Sequence, residues 1–118
     1  MDNINSVELN SVEYIDVKDA LSRIGGNMSL YKRLLDRFVS GNQYEEMVRV
    51  LQSGNVEDSV RQAHSLKGVS ANLSLEKIRA IAIKLEQLIK DGADYTECMD
   101  ELKQAYDITL EKIAEIMK

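Results

Sequence analysis

One stretch of the chain combines a nucleophile, a cation and an open backbone position at helical spacing. It runs from residue 63 to residue 73 and contains His64, the single histidine among 118 residues, with Lys67 and Gly68 three and four positions later. Residues at these spacings share one face of a helix. An imidazole is a nucleophile that forms covalent intermediates, and a lysine ammonium can hydrogen-bond and balance an anionic group. The spacing therefore favours phosphoryl transfer to His64, with Lys67 as the balancing cation.

The helix that carries His64 has one apolar stripe, and His64 lies at its rim. Small and apolar residues recur at three- and four-residue spacing, at Val56, Val60, Ala63, Leu66, Ser70 and Leu73. At about 100° per residue, His64 lies roughly a third of a turn from the centre of this stripe. Gly68 costs about 1 kcal/mol relative to alanine inside a helix, and no helix end follows for several residues. Its missing side chain makes sense if a large group must approach His64.

Other kinds of site are disfavoured by what the sequence lacks. No glycine-rich loop joins a strand to a helix, which argues against a nucleotide site. Ser65 points about 100° away from His64 and no oxyanion-hole loop is visible, which argues against a hydrolytic triad. A di-metal site in a bundle needs Glu-x-x-His motifs from two helices, and one histidine cannot supply them. We therefore expect no metal and no cofactor on this chain, so a partner has to provide them.

Composition indicates a single folded helical domain. A chain of 118 residues with 44% hydrophobic and 30% charged residues has the size and balance of one globular domain. Proline and tryptophan are absent and aromatic residues make up 5%, which favours helices over strands. The net charge of −5 disfavours nucleic-acid binding, because no positive field attracts phosphates.

The same sequence features predict a cytoplasmic location. Cys98 is the single cysteine, so no intramolecular disulfide can form. The sequence has no apolar run long enough for a membrane span and no signal-peptide pattern at its start.

The apolar periodicity predicts an all-α fold, an antiparallel up-down-up-down four-helix bundle with a short additional N-terminal helix. Residues 1–14 are predicted to be a flexible N-terminal arm and residues 15–118 the bundle domain. The short helix is expected over 17–24, capped by Asp16 and ended by Gly25-Gly26. The long helices are expected from Ser29 to about Ser53, bent at Gly41-Asn42, then from Val56 to Leu73, from Ser74 to Gly92, and from Asp94 to about Ile116. Ser29, Asn55, Ser74 and Asp94 are the predicted caps of these four helices.

Five consecutive residues, His64-Ser65-Leu66-Lys67-Gly68, resemble the signature of histidine-containing phosphotransfer (HPt) domains. The resemblance extends to residues 20–31, which are similar to the opening of the family, and to the turn at 51–55 before the histidine helix. Leu85-Glu86 is similar to a frequent pair in the next helix, so the resemblance covers about residues 16 to 117. Many members have glycine where this chain has Ser74, and we expect the corner to be kept because serine is a good N-cap.

The resemblance implies a phosphoryl carrier without kinase activity of its own. Such domains accept a phosphoryl group from an aspartate of one receiver domain and pass it to an aspartate of another, in a multistep two-component phosphorelay. By this resemblance His64 is phosphorylated on Nε2, Lys67 stabilises the phosphoryl group, Gly68 leaves room for its approach, and Mg²⁺ belongs to the receiver. The expected partners are response-regulator receiver domains and a hybrid sensor histidine kinase, with this chain a monomer.

A small docking patch is predicted around His64, because exchange between partners requires a transient complex. The patch is expected to combine Val60, Gly68 and Ala71 of the histidine helix with residues of a neighbouring helix. Arg61 and Lys67 are expected at its rim.

Two alternatives remain open from the sequence. A non-catalytic helical docking module would bind a receiver or a kinase through the His64 face without being phosphorylated. The chain could also be the C-terminal domain of a hybrid kinase, although Met1 and the N-terminal arm favour a free-standing protein.

Overall fold

A computed structural model describes residues 11–118, and the regular structure within them is entirely helical. The helices of this part are α1 (Val17–Arg23), α2 (Met28–Ser40), α3 (Gln43–Ser53), α4 (Val56–Asn72), α5 (Glu76–Lys90) and α6 (Thr96–Met117). Helix α4 packs against α3 and most extensively against α5, which also packs against α6. The predicted all-α class is confirmed for the described residues, and His64 lies on a helix that is supported from two sides.

The core is centred on α5, which is buried over most of its circumference because α4 and α6 cover it. Its buried apolar residues are Ile78, Ala80, Ile81, Ala82, Ile83, Leu85 and Ile89. Helix α4 adds Ala63 and Leu66 to this core, and α6 adds Leu102 and Ile113. Each fully buried leucine or isoleucine contributes about 1.5–3 kcal/mol relative to an exposed one. The packing therefore fixes the face that α4 turns away from the core, which carries His64.

The first ten residues of the predicted arm lie outside the described residues, so only its end can be followed. Tyr14 packs against the core although it falls within the predicted arm, and Ile15 packs beside it. The backbone N–H of Asp16 donates to the carbonyl of Ser74 at 2.9 Å. The chain is thus already anchored to the corner between α4 and α5 before α1 begins.

The predicted caps Asp16 and Asn55 are confirmed by hydrogen bonds, whereas the predicted cap Ser29 was wrong. Asp16 Oδ1 accepts from the N–H of Asp19 at 3.0 Å, and Asn55 Oδ1 accepts from the N–H of residue 58 at 2.9 Å. Helix α2 begins at Met28 and is capped by Asn27, two residues before the predicted cap Ser29. The Oδ1 of Asn27 accepts from the N–H of residue 30 at 3.0 Å. Each of the three observed side-chain caps, Asp16, Asn27 and Asn55, contributes about 1 kcal/mol to the stability of the protein.

The prediction of one long helix from Ser29 to Ser53 was wrong, because the chain breaks into α2 and α3. Asn42 has φ 51° and ψ 45°, a left-handed conformation that a continuous helix does not contain. The N–H of Gln43, the first residue of α3, donates to the hydroxyl of Tyr106 at 3.1 Å. A side chain of α6 thus satisfies the backbone group that a continuous helix would have paired internally. The apolar phase is the same on both sides of the break, which is why periodicity alone did not reveal it.

The corner between α4 and α5 is kept, but not by the predicted capping role of Ser74. Ser74 has φ 54°, a left-handed conformation that favours glycine, and Leu75 is the N-cap residue of α5. The buried hydroxyl of Ser74 donates to Asp19 Oδ2 at 2.7 Å and accepts from Arg23 Nη2 at 2.5 Å. Arg23 Nη2 also donates to two carbonyls at the C-terminal end of α4. These bonds tie α1 to the corner and hold a serine in a conformation that costs of the order of 1–3 kcal/mol.

The predicted start of α6 agrees with the structure to within a residue or two. Asp94 Oδ1 accepts hydrogen bonds from the N–H and the hydroxyl of Thr96, at 2.9 and 2.7 Å. Tyr95 occupies the N-cap position itself.

Candidate functional site

His64 lies on the exposed edge of α4, as its position in the apolar stripe predicts. The helix turns Ala63, Leu66 and Ser70 into the core. The side chain of His64 is 67% exposed, which leaves the imidazole open to a partner protein.

Three charged side chains from α4 and α5 meet beneath the imidazole. Nδ1 of His64 lies 3.5 Å from Oε1 of Glu86 on α5. Nζ of Lys67 lies 3.3 Å from the same oxygen, and Nζ of Lys90 lies 3.0 Å from Oε2. The Glu86 side chain is only 10% exposed, whereas the two lysines reach the surface. One buried carboxylate therefore contacts the imidazole and both neighbouring ammonium groups.

Glu86 carries its negative charge despite its burial. Desolvation by itself would raise the pKa of the carboxyl, but Lys90 and Lys67 outweigh it and hold the pKa of Glu86 below its ordinary value. Oε1 is shielded from solvent and makes no hydrogen bond of good geometry to any described residue. Its contact with Lys67 is thus an ion pair without hydrogen-bond alignment. The same buried carboxylate oxygen thus faces both an imidazole and an ammonium.

The contact with Glu86 distinguishes the two nitrogens of the imidazole. A neutral imidazole carries one N–H and one lone pair, and the neighbour of one nitrogen determines the form of the other. Because Nδ1 faces the carboxylate, the favoured form has its proton on Nδ1. At 3.5 Å this contact is an electrostatic attraction longer than an ordinary hydrogen bond. It leaves the lone pair on Nε2, the nitrogen that is available as a nucleophile.

Gly68 has no packing contact that would require a glycine. It is exposed, and a Cβ atom built on it meets no atom within 4 Å. Packing therefore does not require a glycine here. The missing side chain leaves the helix surface open one turn from His64, at a cost in helix propensity.

The remaining residues of the predicted patch lie along α4 without contacting the imidazole through a hydrogen bond or an ion pair. Val60 is half-buried and packs against the core. Arg61 is exposed and forms an ion pair with Asp58 at 2.7 Å. Ala71 is half-buried, and its carbonyl accepts the hydrogen bond from Arg23. Lys67 and His64 are thus linked by their shared contact with Glu86, whereas Val60, Arg61 and Ala71 only lie nearby on α4.

Glu86 and Lys90 were missed as site residues by the sequence reasoning. Glu86 was noted only as part of the Leu85-Glu86 pair, and Lys90 was not noted at all. A signal was available, because a glutamate followed four positions later by a lysine forms an intrahelical ion pair. Its direction towards α4 depends on how the two helices pack, which the sequence alone does not give.

The described residues show neither a metal cluster nor a membrane-spanning helix. No group of three or more His, Cys, Asp and Glu side chains between residues 11 and 118 could hold a metal ion. Within the same residues, no helix is both long and apolar enough to cross a bilayer.

Comparison with known proteins identifies the family. A family model described as the Hpt domain matches residues 34–113, more than half of the chain, and this match contains the whole of α3, α4 and α5. No curated protein and no solved structure matches the chain. The chain belongs to the Hpt domain family, whose members are phosphoryl carriers, not kinases, in two-component signalling.

Proposed function

We propose that this protein is the middle carrier of a multistep phosphorelay, in which Nε2 of His64 takes a phosphoryl group from one receiver domain and gives it to another. The observation that supports this most directly is the exposed imidazole whose Nδ1 faces a buried carboxylate, on the histidine helix of an Hpt domain. That geometry leaves Nε2 as the nucleophile and leaves the ring accessible to a docked partner.

The loading step is a direct displacement at phosphorus. The lone pair of Nε2 attacks the phosphorus of an aspartyl phosphate on the partner. The bond between phosphorus and the aspartate oxygen breaks, and the aspartate leaves as a carboxylate. The proton on Nδ1 stays in place, so no separate base is needed. Most of the catalysis then comes from positioning and charge balance in the docked complex.

Lys67 is the group on this chain that balances the charge of the phosphoryl oxygens. It lies three positions after His64, and its side chain is 31% exposed, so the ammonium lies between solvent and Glu86. A small movement away from the carboxylate would bring it to an incoming phosphoryl group. Gly68 leaves the space through which the partner approaches.

The chemistry that this chain lacks would come from its partners. We propose that Mg²⁺ is bound by the receiver domain, that response-regulator receivers and a hybrid sensor histidine kinase are the partners, and that the protein acts in the cytoplasm as a monomer. This agrees with the proposed carrier role, in which the chain needs neither a nucleotide nor a metal of its own.

We also propose that the long helices form the antiparallel up-down-up-down bundle. The connections between α3 and α4, α4 and α5, and α5 and α6 span residues 54–55, 73–75 and 91–95. Connections this short favour antiparallel neighbours.

The docking patch is tested by substitution on the exposed face of α4. Arg61→Glu and Ala71→Gln, made separately, are expected to slow transfer from a receiver while leaving the melting temperature nearly unchanged. As a matched control, Arg49→Glu on α3 reverses the charge of another exposed arginine that is paired with a carboxylate on its own helix. Wild-type transfer rates for both α4 variants with every receiver would place the patch elsewhere.

The relay itself is tested by following label in two stages. Incubation with a phosphorylated receiver domain should move the label onto this protein, and addition of a second, unphosphorylated receiver should remove it again. The alternative function, a docking module, predicts a complex with the receiver but no label on this protein at either stage.

A further inference from the structure

A cavity of about 580 Å³ lies between α1, α2 and the C-terminal half of α4. This volume falls within the range of about 300–1,000 Å³ that is typical of small-molecule pockets. The wall of this α2–α4 cavity is mostly apolar, and its apolar side chains are Ile24, Leu34, Phe38, Val69 and Leu73.

The apolar wall is rigidly supported but not covered. Phe38 is buried and packs its ring against that of Tyr106, with the centroids 5.4 Å apart. Ile24, Leu34 and Val69 also pack against the core, yet each is only half-buried. The cavity therefore presents apolar surface to solvent on side chains that the core holds in place. A concave, preformed apolar surface of this kind is typical of a ligand site.

The charged residues that line the cavity are both cations. No carboxylate lines it, although the chain has 20 acidic residues and a net charge of −5. The guanidinium of Arg23 is occupied by the protein itself, because it donates to Asp19, to Ser74 and to two carbonyls at the C-terminal end of α4. The guanidinium of Arg37, in contrast, has no hydrogen-bond or ion-pair partner among residues 11–118. One cation of the wall is thus left for a ligand.

We propose that the α2–α4 cavity binds an amphipathic monocarboxylate such as a medium-chain fatty acid, with its hydrocarbon chain against the apolar wall and its carboxylate on Arg37. A guanidinium donates two parallel hydrogen bonds to one carboxylate, so a single unpaired arginine matches a single negative charge. An apolar wall disfavours ligands with several charges along their length, because those charges would lose water without gaining partners.

This site is separate from the phosphoryl-acceptor site. On α4 the cavity is lined by Val69, Asn72 and Leu73, which lie five to nine residues after His64. At about 100° per residue, these positions are roughly 80–180° around the helix from His64. Neither His64 nor Glu86 lines the cavity. A bound carboxylate would therefore lie on the flank of α4, and the proposal does not depend on whether His64 is phosphorylated.

The test is an NMR titration of the full-length ¹⁵N-labelled protein with octanoate and, separately, with octanamide. Octanamide has the same hydrocarbon chain but no charge. The amide signals that shift should concentrate around the cavity, at Ile24, Leu34, Val69 and Asn72. Octanamide should bind about tenfold more weakly than octanoate, because it cannot form the charge-assisted pair with Arg37.

Three variants separate the carboxylate contact from the apolar contact. Arg37→Gln should weaken octanoate binding by about tenfold and leave octanamide binding unchanged. The matched control is Arg33→Gln, because Arg33 is another exposed arginine of α2 that has no partner among the described residues and does not line the cavity. Val69→Phe places a larger side chain in the cavity and should weaken the binding of both ligands.

Several results would overturn the proposal. The absence of saturable octanoate binding, or equal affinities for octanoate and octanamide, would remove the basis for a carboxylate site. Equal weakening by Arg33→Gln and Arg37→Gln would show a general effect of charge in place of a contact. If the same amide signals shift when the protein is concentrated without ligand, a second copy of the chain covers the cavity. If Arg37→Gln does not fold, the comparison of the two ligands on the wild type still decides the question.

Discussion

Replacing Gly68 should separate the stability of the protein from its ability to transfer a phosphoryl group. Gly68 lies inside α4, four residues before the helix ends, and a Cβ atom at this position meets nothing within 4 Å. Gly68→Ala therefore gains the helix propensity of alanine without a clash. The expected stabilisation is about 0.5–1 kcal/mol, which for a chain of this size corresponds to a rise in melting temperature of roughly 2–5 °C.

The same position should not tolerate a long side chain in the docked complex. Gly68 is one turn from His64 on the exposed face, where the partner must bring its aspartyl phosphate close to Nε2. A displacement of about 1 Å can cost on the order of 10²-fold in rate. Gly68→Gln should thus fold normally but slow transfer by roughly that factor, with a smaller loss in Gly68→Ala.

Thermal denaturation and single-turnover transfer from a phosphorylated receiver measure the two effects. Ser65→Gln is the matched control, because Ser65 is also exposed on α4 but points about 100° away from His64. Its transfer rate should stay close to that of the wild type. Wild-type transfer by Gly68→Gln, or a lower melting temperature for Gly68→Ala, would refute the reasoning that Gly68 is present for access.

Three further predictions concern the corner, the buried carboxylate and the cysteine. Ser74→Ala removes two hydrogen bonds but keeps φ near 54°, so urea denaturation should show a loss of about 1–2 kcal/mol in the free energy of unfolding. Ser74→Gly should lose less stability, because glycine adopts this φ freely. The lowered pKa of Glu86 means that its ionised form stabilises the folded state above its ordinary pKa of 4.5 and that this stabilisation is lost as the pH falls through the lowered value. Denaturation between pH 7 and 3 should therefore show the wild type losing stability relative to Glu86→Gln. Burial raises the pKa of Cys98 to about 12, so iodoacetamide at pH 8 should modify it only after unfolding, as read by mass spectrometry.

Each of these has an outcome that would contradict it. A larger loss of stability for Ser74→Gly than for Ser74→Ala would mean that the left-handed conformation of residue 74 is not strained. A stability difference between wild type and Glu86→Gln that does not change with pH would show that the charge of Glu86 contributes nothing. Rapid labelling of Cys98 in the folded protein would contradict its burial.

The sequence was a good guide wherever a local rule decides the structure. Apolar periodicity placed the histidine helix to within a residue of α4, and Asn55 caps it as predicted. The rim position of His64 follows from the same periodicity, because the core on one side of a helix determines what the other side exposes.

The sequence was a poor guide where a contact between distant segments determines the local conformation. The break at Asn42 depends on the hydroxyl of Tyr106, which comes from a helix more than sixty positions later in the chain. The conformation of Ser74 depends on Asp19 and Arg23 in α1. Glu86 became part of the site only through the packing of α5 on α4. In each case the local pattern allowed more than one structure, and a side chain from another helix selected the one that formed.

The most direct test of the central claim is the chemical stability of the phosphate on the wild-type protein and on His64→Gln after incubation with a panel of phosphorylated receiver domains. Phosphate on histidine is labile in acid and stable in base. We expect such a phosphate on the wild type and none on the variant, with both proteins showing the same helical content. Equal labelling of both proteins, or binding of a receiver by the wild type without any acid-labile phosphate, would contradict the assignment of His64 as the phosphoryl carrier.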